Sequence, residues 1–215
     1  EHLDPMLDNL TEPFADSSAL PLYILCKKTR PHVTVALSGD GGDEVFAGYN
    51  KHVAEWRVRA GSLLSPLIKV GHPLWRLLPK SRNGFLSNKI RQLDRYAAGT
   101  KMSESERYWS WAGFLSDSET LNYLSSTSSE TADYATRKTE ILQSIRFDEG
   151  LNDFLATDMR LVLLSDMLVK VDRMSMANGL EVRSPLLDHQ VVDFAFSLPT
   201  NYKLGQGLSK RILQD

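Results

Sequence analysis

The sequence predicts an α/β fold that is mostly helical and includes one edge of a parallel sheet. Residues Val33 to Leu37 form a short apolar run rich in β-branched residues, which is typical of a buried strand. A helical pattern precedes this run, from about Ala19 to Arg30, and another follows it from Asp43. A helix, a buried strand and a second helix in this order build the edge of a parallel sheet.

The first helix has clear boundaries and a buried side. Pro21 lies in its first turn, where proline is tolerated, and Pro31 ends it. Cys26 is the only cysteine of the chain and lies among the apolar residues of this helix. We therefore expect a buried structural thiol at this position rather than a nucleophile.

The turn after the strand combines glycines with acids. Ser38 to Gly42 contains three glycines, which allow positive φ angles and a close approach to a ligand. Asp40, Asp43 and Glu44 add negative charge where a helix N-terminus would otherwise suit a phosphate. A Mg²⁺ ion between carboxylate and phosphate would resolve this conflict. The alternative is an ordinary turn with a capping aspartate; the spacing matches neither a P-loop nor an EF-hand.

Most of the remaining chain has helical patterns. A helix is expected from Glu44 to about Arg59, and the middle of the chain to residue 150 is helical and irregular. The longest pattern covers residues 151 to about 177, Asp188 caps a short helix through Phe196, and a final helix is expected from near Gly207. Capping-box spacing marks three helix starts, at Ser103 with Glu106, Ser116 with Glu119, and Thr127 with Glu130.

Charged residues interrupt the apolar pattern near the end of the longest helix. Charges in apolar surroundings are costly unless they are paired or used. Asp166 and Lys170 have the i, i+4 spacing of a helical ion pair. An ion-pair network that supports the structure is expected from this region, rather than direct catalysis by its members: Asp166, Lys170, Asp172, Arg173, Glu181 and Arg183.

Composition excludes several classes of protein. The net charge of −2 gives no basic field for nucleic acid. No apolar run reaches the roughly 18 residues of a membrane span, and no charged-then-apolar leader opens the chain. With a single cysteine, the sequence favours a reducing compartment, and we expect a cytoplasmic protein.

Three stretches resemble the glutamine-hydrolysing asparagine synthetases. Residues 38–49, SGDGGDEVFAGY, look like the second nucleotide-site motif of that family, and residues 166–189, from Asp166 to His189, are similar to its C-terminal signature. A weaker match is EPFADSS at residues 12–18. The three occur in the family's order and the resemblance covers most of the chain, although residues 60–150 match only loosely.

The resemblance implies a partial C-terminal synthetase domain over residues 1–215, with a nucleotide-binding fold of the ATP-pyrophosphatase, adenine nucleotide alpha-hydrolase-like type. It implies an ATP-dependent and Mg²⁺-dependent ligase that makes asparagine from aspartate through β-aspartyl-AMP. Pyrophosphate leaves in the first step, and ammonia from a separate glutaminase domain displaces AMP in the second. A homodimer is a further expectation.

The resemblance also assigns residues by position. Asp43 matches the family's Mg²⁺-binding aspartate. Asp40 matches an acidic residue near the reacting centre, a candidate base toward ammonia, although many members carry glutamate there. ATP-binding is expected at Ser38, Gly39, Asp40 and Gly41, where Ser38 and Gly39 would contact the nucleotide through backbone groups.

Parts of the family pattern are missing from this sequence. The first phosphate motif, Ser-Gly-Gly-x-Asp-Ser, the catalytic lysine and the glutaminase domain have no counterpart, and Lys210 belongs to the segment before that lysine. We therefore expect residues 1–215 to be a fragment that is inactive alone. Two alternatives stay open. One is a related amidotransferase or β-lactam-type synthetase with another carboxylate acceptor, although a tyrosine or another residue at position 40 would favour it and Asp40 favours asparagine synthesis. The other is a non-catalytic helical interaction module.

Overall fold

A computed structural model of the chain describes residues 1–12, 14, 16–61, 70–71, 78–79, 83–123, 128–145 and 150–214. The chain divides into two compact units. The first unit is built from residues 1–49 and 155–215, and the second from residues 50–154.

The elements follow one another along the chain in three groups. Residues 1–61 form α1 (Leu3–Leu7), α2 (Ala19–Thr29), β1 (Val35–Leu37), α3 (Gly42–Phe46) and α4 (Asn50–Arg59). Residues 83–145 form α5 (Phe85–Gly99), α6 (Glu104–Ala112), α7 (Asp117–Tyr123) and α8 (Ser128–Gln143). Residues 150–214 form α9 (Leu151–Asp158), a π-helical segment (Met159–Met167), α10 (Leu168–Met176), β2 (Glu181–Arg183), a 3₁₀ turn (Pro185–Leu187), α11 (His189–Ser197), α12 (Thr200–Lys203), β3 (Leu204–Gly205), β4 (Leu208–Ser209) and a last 3₁₀ turn (Arg211–Leu213).

The predicted strand pairs with a second strand from far along the chain. β1 and β2 run parallel, with Val35 opposite Glu181 and Leu37 opposite Arg183. β1 is shorter than the predicted run and begins at Val35 rather than Val33. The prediction that this strand is buried is wrong, since Val35 and Leu37 are both exposed. β2 was not predicted because three residues, alternating between charged and apolar, give too short a pattern to separate a strand from a loop.

One apolar cluster of the first unit joins the N-terminal helices to α10. Its buried members are Met6, Ala19, Tyr23 and Met174. Asn178 Nδ2, just after α10, donates to the backbone oxygens of Tyr23 (3.3 Å) and Met174 (2.9 Å) and ties this end of α10 to α2. The helix predicted at residues 19–30 is confirmed to within one residue, and Cys26 is buried as expected.

A second apolar cluster holds α3 in place. Val45 and Phe46 of α3 and Ala195 of α11 are buried at its centre. Partly buried side chains from several elements pack around them: Met159, Leu186, Leu187, Val191, Val192, Leu198 and Ile212. This short helix, which follows the glycine-rich turn, is therefore fixed by tertiary packing rather than by its own length.

The second unit is helical throughout its described residues and has polar as well as aromatic groups in its interior. The side chain of Glu55 is fully buried and receives two hydrogen bonds from Arg107, at 2.6 and 2.8 Å. Phe154 lies edge-on to both His52 and Tyr108, with ring centroids 5.9 and 5.0 Å apart.

Several sequence expectations for helices are confirmed. Ser103 Oγ accepts from the Glu106 N–H at 3.4 Å, and Ser116 and Glu119 form a reciprocal capping box. Asp188 Oδ1 accepts from the Gln190 N–H at 2.9 Å and caps α11. The box at Thr127 and Glu130 involves a residue outside the described part of the chain.

Two helix predictions were wrong in their extent, and a third was right in its extent but not in its helix type. The helix expected over residues 44–59 is two helices, because Ala47 adopts a left-handed conformation with φ 62° and ends α3. The helix expected over residues 151–177 is confirmed in its extent, since residues 151–176 are continuously helical, but its middle, Met159–Met167, is π-helical. The helix expected from Gly207 is instead the β3–β4 hairpin followed by a 3₁₀ turn, and Gln206 and Gly207 both have positive φ in its loop.

The described residues are therefore mostly helical with small sheets, consistent with the α/β class. The ATP-pyrophosphatase type of sheet stays a prediction. Of the helices in the described part of the chain, none combines the length and the apolar character that crossing a membrane requires.

Candidate functional site

The stretch of residues 38–49 and the stretch of residues 166–189 meet at the carboxyl ends of β1 and β2. Because the two strands are parallel, the residues that follow them lie side by side. The Ser38 N–H donates to the Arg183 oxygen at 2.9 Å and extends the ladder by one step. The hydroxyls of Ser38 and Ser184 then form a hydrogen bond of 3.1 Å. Residues 146 positions apart are joined at the edge of the sheet where α/β folds bind ligands.

The residues after Ser38 form a tight turn into α3. The Gly42 N–H donates to the Gly39 oxygen at 3.1 Å, and the Asp40 N–H points to Ser38 Oγ at 3.5 Å. Gly41 has φ 84° and ψ −17°, the values that the third position of a type II turn requires. The positive φ at position 41 therefore explains why glycine is favoured there.

Packing accounts for two of the three glycines. A side chain at position 41 would overlap Leu187, and one at position 42 would come within 2.8 Å of Leu186. Both leucines belong to the 3₁₀ turn that follows β2. Gly39 differs, because it is exposed and no atom lies within 4 Å of the place where a side chain would start. The open side of the turn is therefore at Gly39.

The three acids of the turn lie in three different environments. Asp40 is half-buried, and no residue in the described part of the chain donates a hydrogen bond to its carboxylate. Asp43 is about one third exposed, and its Oδ1 lies 3.0 Å from the Nζ of Lys210. Glu44 is buried and accepts a 2.8 Å hydrogen bond from the hydroxyl of Tyr49. Asp40 and Asp43 are thus available to a ligand, whereas Glu44 supports the fold.

The buried Glu44–Tyr49 pair has a clear electrostatic character. Burial raises the pKa of the Tyr49 hydroxyl well above its usual value, and the hydrogen bond to the Glu44 carboxylate raises it further. The hydroxyl is therefore a permanent donor at physiological pH. It therefore satisfies the buried Glu44 carboxylate within the fold.

The residues of the turn fit a metal that is only partly held by protein. Among the described residues, no group of three or more His, Cys, Asp or Glu side chains is placed to hold a metal ion by itself. The Asp43 carboxylate is accessible and already accepts one cation, the Lys210 ammonium. A Mg²⁺ ion held by one or two carboxylates, with substrate phosphates and water completing its shell, matches this donor set.

An ion pair joins the weaker match at residues 12–18 to the stretch of residues 166–189. Lys170 Nζ lies 2.6 Å from Asp16 Oδ2 and 2.9 Å from Ser18 Oγ. Burial tends to raise the pKa of the Asp16 carboxyl, but the Lys170 and Ser18 hydrogen bonds outweigh it and the pKa is lowered. Asp166, the predicted helical partner of Lys170, has its pKa raised by burial and by the nearby charge of Asp16. Asp16 is thus the residue that holds the Lys170 ammonium.

The other charged residues named from the stretch of residues 166–189 are at the surface. Glu181 and Arg183 form an exposed pair at 2.7 Å along β2. Asp172 and Arg173 are exposed on α10, and no described residue forms an ion pair with either. The expected network of all these side chains is therefore reduced to two separate pairs, Lys170–Asp16 and Glu181–Arg183.

Three neighbours of the turn were missed by sequence reasoning: Ser184, Leu187 and Lys210. Ser184 and Leu187 follow β2, so the missed strand concealed them. Lys210 follows a hairpin whose loop, Gln206-Gly207, carries the glycine that two-residue hairpins favour. That signal was present in the sequence and was outweighed by the helical spacing of the residues after it.

The polar turn thus lies at the carboxyl ends of two parallel strands, the place where α/β proteins bind ligands. Comparison with known proteins identifies the family. The chain belongs to the asparagine synthase family, whose model matches residues 1–215.

Relatives agree with this assignment. The chain is 31% identical over 213 residues to glutamine-hydrolyzing asparagine synthetase 1 of Bacillus subtilis, which covers 94% of this chain and 31% of that protein. It is 30% identical over 209 residues to a Mycobacterium tuberculosis protein provisionally named as a glutamine-hydrolyzing asparagine synthetase, covering 95% of this chain and 30% of that protein. The chain thus spans about a third of the length of these relatives.

Proposed function

We propose that this chain is part of an ATP-dependent asparagine synthetase. In this reaction the side-chain carboxylate of aspartate attacks the α-phosphorus of ATP, and pyrophosphate leaves. Ammonia derived from glutamine then attacks the β-aspartyl-AMP, giving asparagine and AMP. Membership of the asparagine synthase family supports an activity of this class.

One observation carries the proposal: the hydrogen bond between Ser38 and Ser184 at the ends of β1 and β2. It brings the turn that resembles a nucleotide-site motif next to the family's C-terminal signature. The Asp40 and Asp43 carboxylates, on the same turn, are both accessible at that edge. A non-catalytic helical module would not need two accessible acids beside an open glycine.

Each residue of the turn has a proposed role. Ser38, Gly39 and Asp40 border the open side and would contact the nucleotide, the first two through backbone groups. Gly41 is buried beneath Leu187, so only its backbone could take part. Asp40 would accept a proton from the attacking ammonia, because its carboxylate has no competing donor among the described residues.

Asp43 would hold the metal that accompanies ATP. A bound Mg²⁺ would neutralise charge on the phosphates as pyrophosphate leaves. Gly48 leaves room for this carboxylate, since a side chain there would overlap Asp43 Oδ1. The Gly48 N–H also donates to the Asp43 backbone oxygen at 2.8 Å.

The remaining parts of the reaction are proposed to lie elsewhere in the full-length protein. The relatives are about three times as long as this chain. A glutaminase domain would release ammonia, and the first phosphate loop and the catalytic lysine would complete the ATP site. Residues 1–215 alone are therefore expected to have no synthetase activity.

The test is to change Asp43 to Asn in the full-length protein and to measure pyrophosphate release from ATP with aspartate and saturating Mg²⁺. Release should be abolished, because one metal ligand is lost, while thermal unfolding should change little at this partly exposed position. Asp8→Asn, at an exposed aspartate just after α1, is the matched control and should release pyrophosphate normally.

Near-normal release from Asp43→Asn would contradict the metal role. The same assay separates the possible acceptors when aspartate is replaced by other carboxylic acids. Release that depends on another acid and not on aspartate would instead favour a related amidotransferase or a β-lactam-type synthetase.

A further inference from the structure

Lys210 has an unusual backbone for a lysine. Its φ and ψ are 52° and 38°, in the left-handed region, where a side chain is disfavoured sterically. Strained residues of this kind persist only when the surrounding structure holds them, and they occur preferentially at functional sites.

The segments on both sides of Lys210 fix its position. Before it, β3 and β4 pair with Leu204 opposite Ser209, and Leu204 is buried. After it, Ile212 packs against the apolar cluster around α3, and Gln214 Nε2 donates to the Ser209 oxygen at 2.7 Å. The chain enters and leaves position 210 through packed elements, so its direction is set by the fold.

The side chain of Lys210 is directed to one carboxylate oxygen, Oδ1 of Asp43, at 3.0 Å. The same oxygen lies against Gly48 on its other side. Both side chains of the ion pair are more than a third exposed, and exposed pairs stabilise a fold only slightly. The pair is therefore a poor reason for keeping a strained lysine, whereas a role at the site would be a sufficient one.

We propose that Lys210 is the resident counter-ion of Asp43 and selects the metal–nucleotide complex over the free metal. This inference rests on the proposed function, in which Asp43 binds the metal. The ammonium contacts Oδ1, one of the two carboxylate oxygens of Asp43, and its positive charge repels a free divalent cation. Mg·ATP carries net negative charge, so the same ammonium attracts the complex.

The selection has a consequence that a purely structural lysine would not have. Removal of the ammonium should change two affinities in opposite directions: free metal should bind more tightly and Mg·ATP more weakly. Loss of local structure would weaken both.

The experiment uses the full-length protein and the variant Lys210→Gly, since glycine adopts the left-handed conformation without strain. Free Mn²⁺ is titrated without nucleotide and followed by its electron paramagnetic resonance signal, and Mg·ATP is titrated by calorimetry. We expect at least threefold tighter binding of Mn²⁺ and at least threefold weaker binding of Mg·ATP. Lys210→Arg, which keeps the charge, should resemble the unmodified protein.

Gln206→Gly is the matched control. Gln206 lies in the loop of the hairpin that precedes Lys210 and also has φ 52°, so this change relieves a left-handed residue without removing a charge. Both affinities should stay unchanged. If Lys210→Gly does not fold, Lys210→Asn serves the same purpose, because asparagine also tolerates the left-handed region.

Two outcomes overturn the inference, and only the second also overturns the metal role of Asp43. If Mn²⁺ binding is lost in Asp43→Asn but is not tightened in Lys210→Gly, the selection by Lys210 is wrong and the metal role of Asp43 stands. If Asp43→Asn changes neither affinity, the metal role and the inference both fail.

Discussion

The two units of the molecule use their charged residues differently. In the first unit, the Asp43–Lys210 pair lies at the edge of the sheet with both side chains more than a third exposed. In the second unit, Glu55 is fully buried and Arg107 nearly so, and they are joined by two hydrogen bonds. The comparison separates charges that a ligand can reach from charges that hold helices together. Substitutions in the first unit should therefore change function more than stability, and the reverse should hold in the second.

The largest expected effect on stability is at Arg107 in the second unit. Arg107→Met leaves the buried Glu55 carboxylate without its bidentate partner. Breaking a buried ion pair from one side costs about 3–5 kcal/mol. Chemical denaturation of the full-length protein, followed by a probe in the second unit, would measure the loss.

Arg59→Met provides the matched control for Arg107→Met. Arg59 donates to the same Glu55 carboxylate at 2.8 Å but is partly exposed. Its loss should cost less than the loss of Arg107, because Arg59 is partly exposed and the two hydrogen bonds from Arg107 to Glu55 remain. Equal losses from the two variants would show that burial does not set the strength of this network.

A large effect on activity is also expected at Asp40 in the first unit, beside the loss of pyrophosphate release expected for Asp43→Asn. Asp40→Asn should slow ammonia-dependent asparagine formation by about a hundredfold or more, as loss of a general base commonly does. Thermal unfolding should change little, because no described residue donates a hydrogen bond to this carboxylate. Unchanged asparagine formation would show that Asp40 has only a structural role.

The sequence predicted the parts of the first unit that local patterns determine. The glycine-rich turn, α2 and the Asp188 cap each depend on residues within a few positions of one another. The pairing of Ser38 with Ser184 and of Asp43 with Lys210 depends on tertiary structure. A periodic pattern carries no information about such partners.

The same limit explains what the sequence did not predict in either unit. Glu55 and Arg107 are 52 positions apart, and neither stands out in its own helix. Ala47 ends α3 with a left-handed residue although alanine favours helix, so tertiary context overrides propensity there. The turn could be found as a candidate site from sequence, whereas the residues that complete it needed the fold.

Lys203 sharpens the comparison because it is a buried charge in the first unit. Burial lowers the pKa of its ammonium to about 8, and its Nζ lies 4.7 Å from the centre of the Phe196 ring. In the unfolded chain a lysine titrates near pH 10.4, as a rough reference value. Between these values the unfolded state binds more protons, so the free energy of unfolding should rise by about 1.4 kcal/mol per pH unit above pH 8.

Denaturation at pH 7.5, 8.5 and 9.5 would test this contribution. Lys203→Met should remove it, so that the difference between the variant and the unmodified protein depends on pH. Lys27→Met, at an exposed lysine of α2, should leave the pH dependence unchanged. Parallel curves for Lys203→Met and the unmodified protein would mean that Lys203 titrates normally.

The smallest expected effects are at the helix caps of the second unit. Ser103 makes a single long capping bond, 3.4 Å from the Glu106 N–H, so Ser103→Ala should cost about 0.5–1 kcal/mol. Ser116→Ala should cost more, because the cap at Ser116 is reciprocal. The Ser116 hydroxyl accepts from the Glu119 N–H at 3.3 Å, and the Ser116 N–H and hydroxyl donate to the Glu119 carboxylate at 2.8 and 2.6 Å. Neither change should alter pyrophosphate release, because both caps lie in the unit whose polar groups serve the fold. A variant of either cap that unfolds normally but loses pyrophosphate release would show that the division of labour between the two units is incomplete.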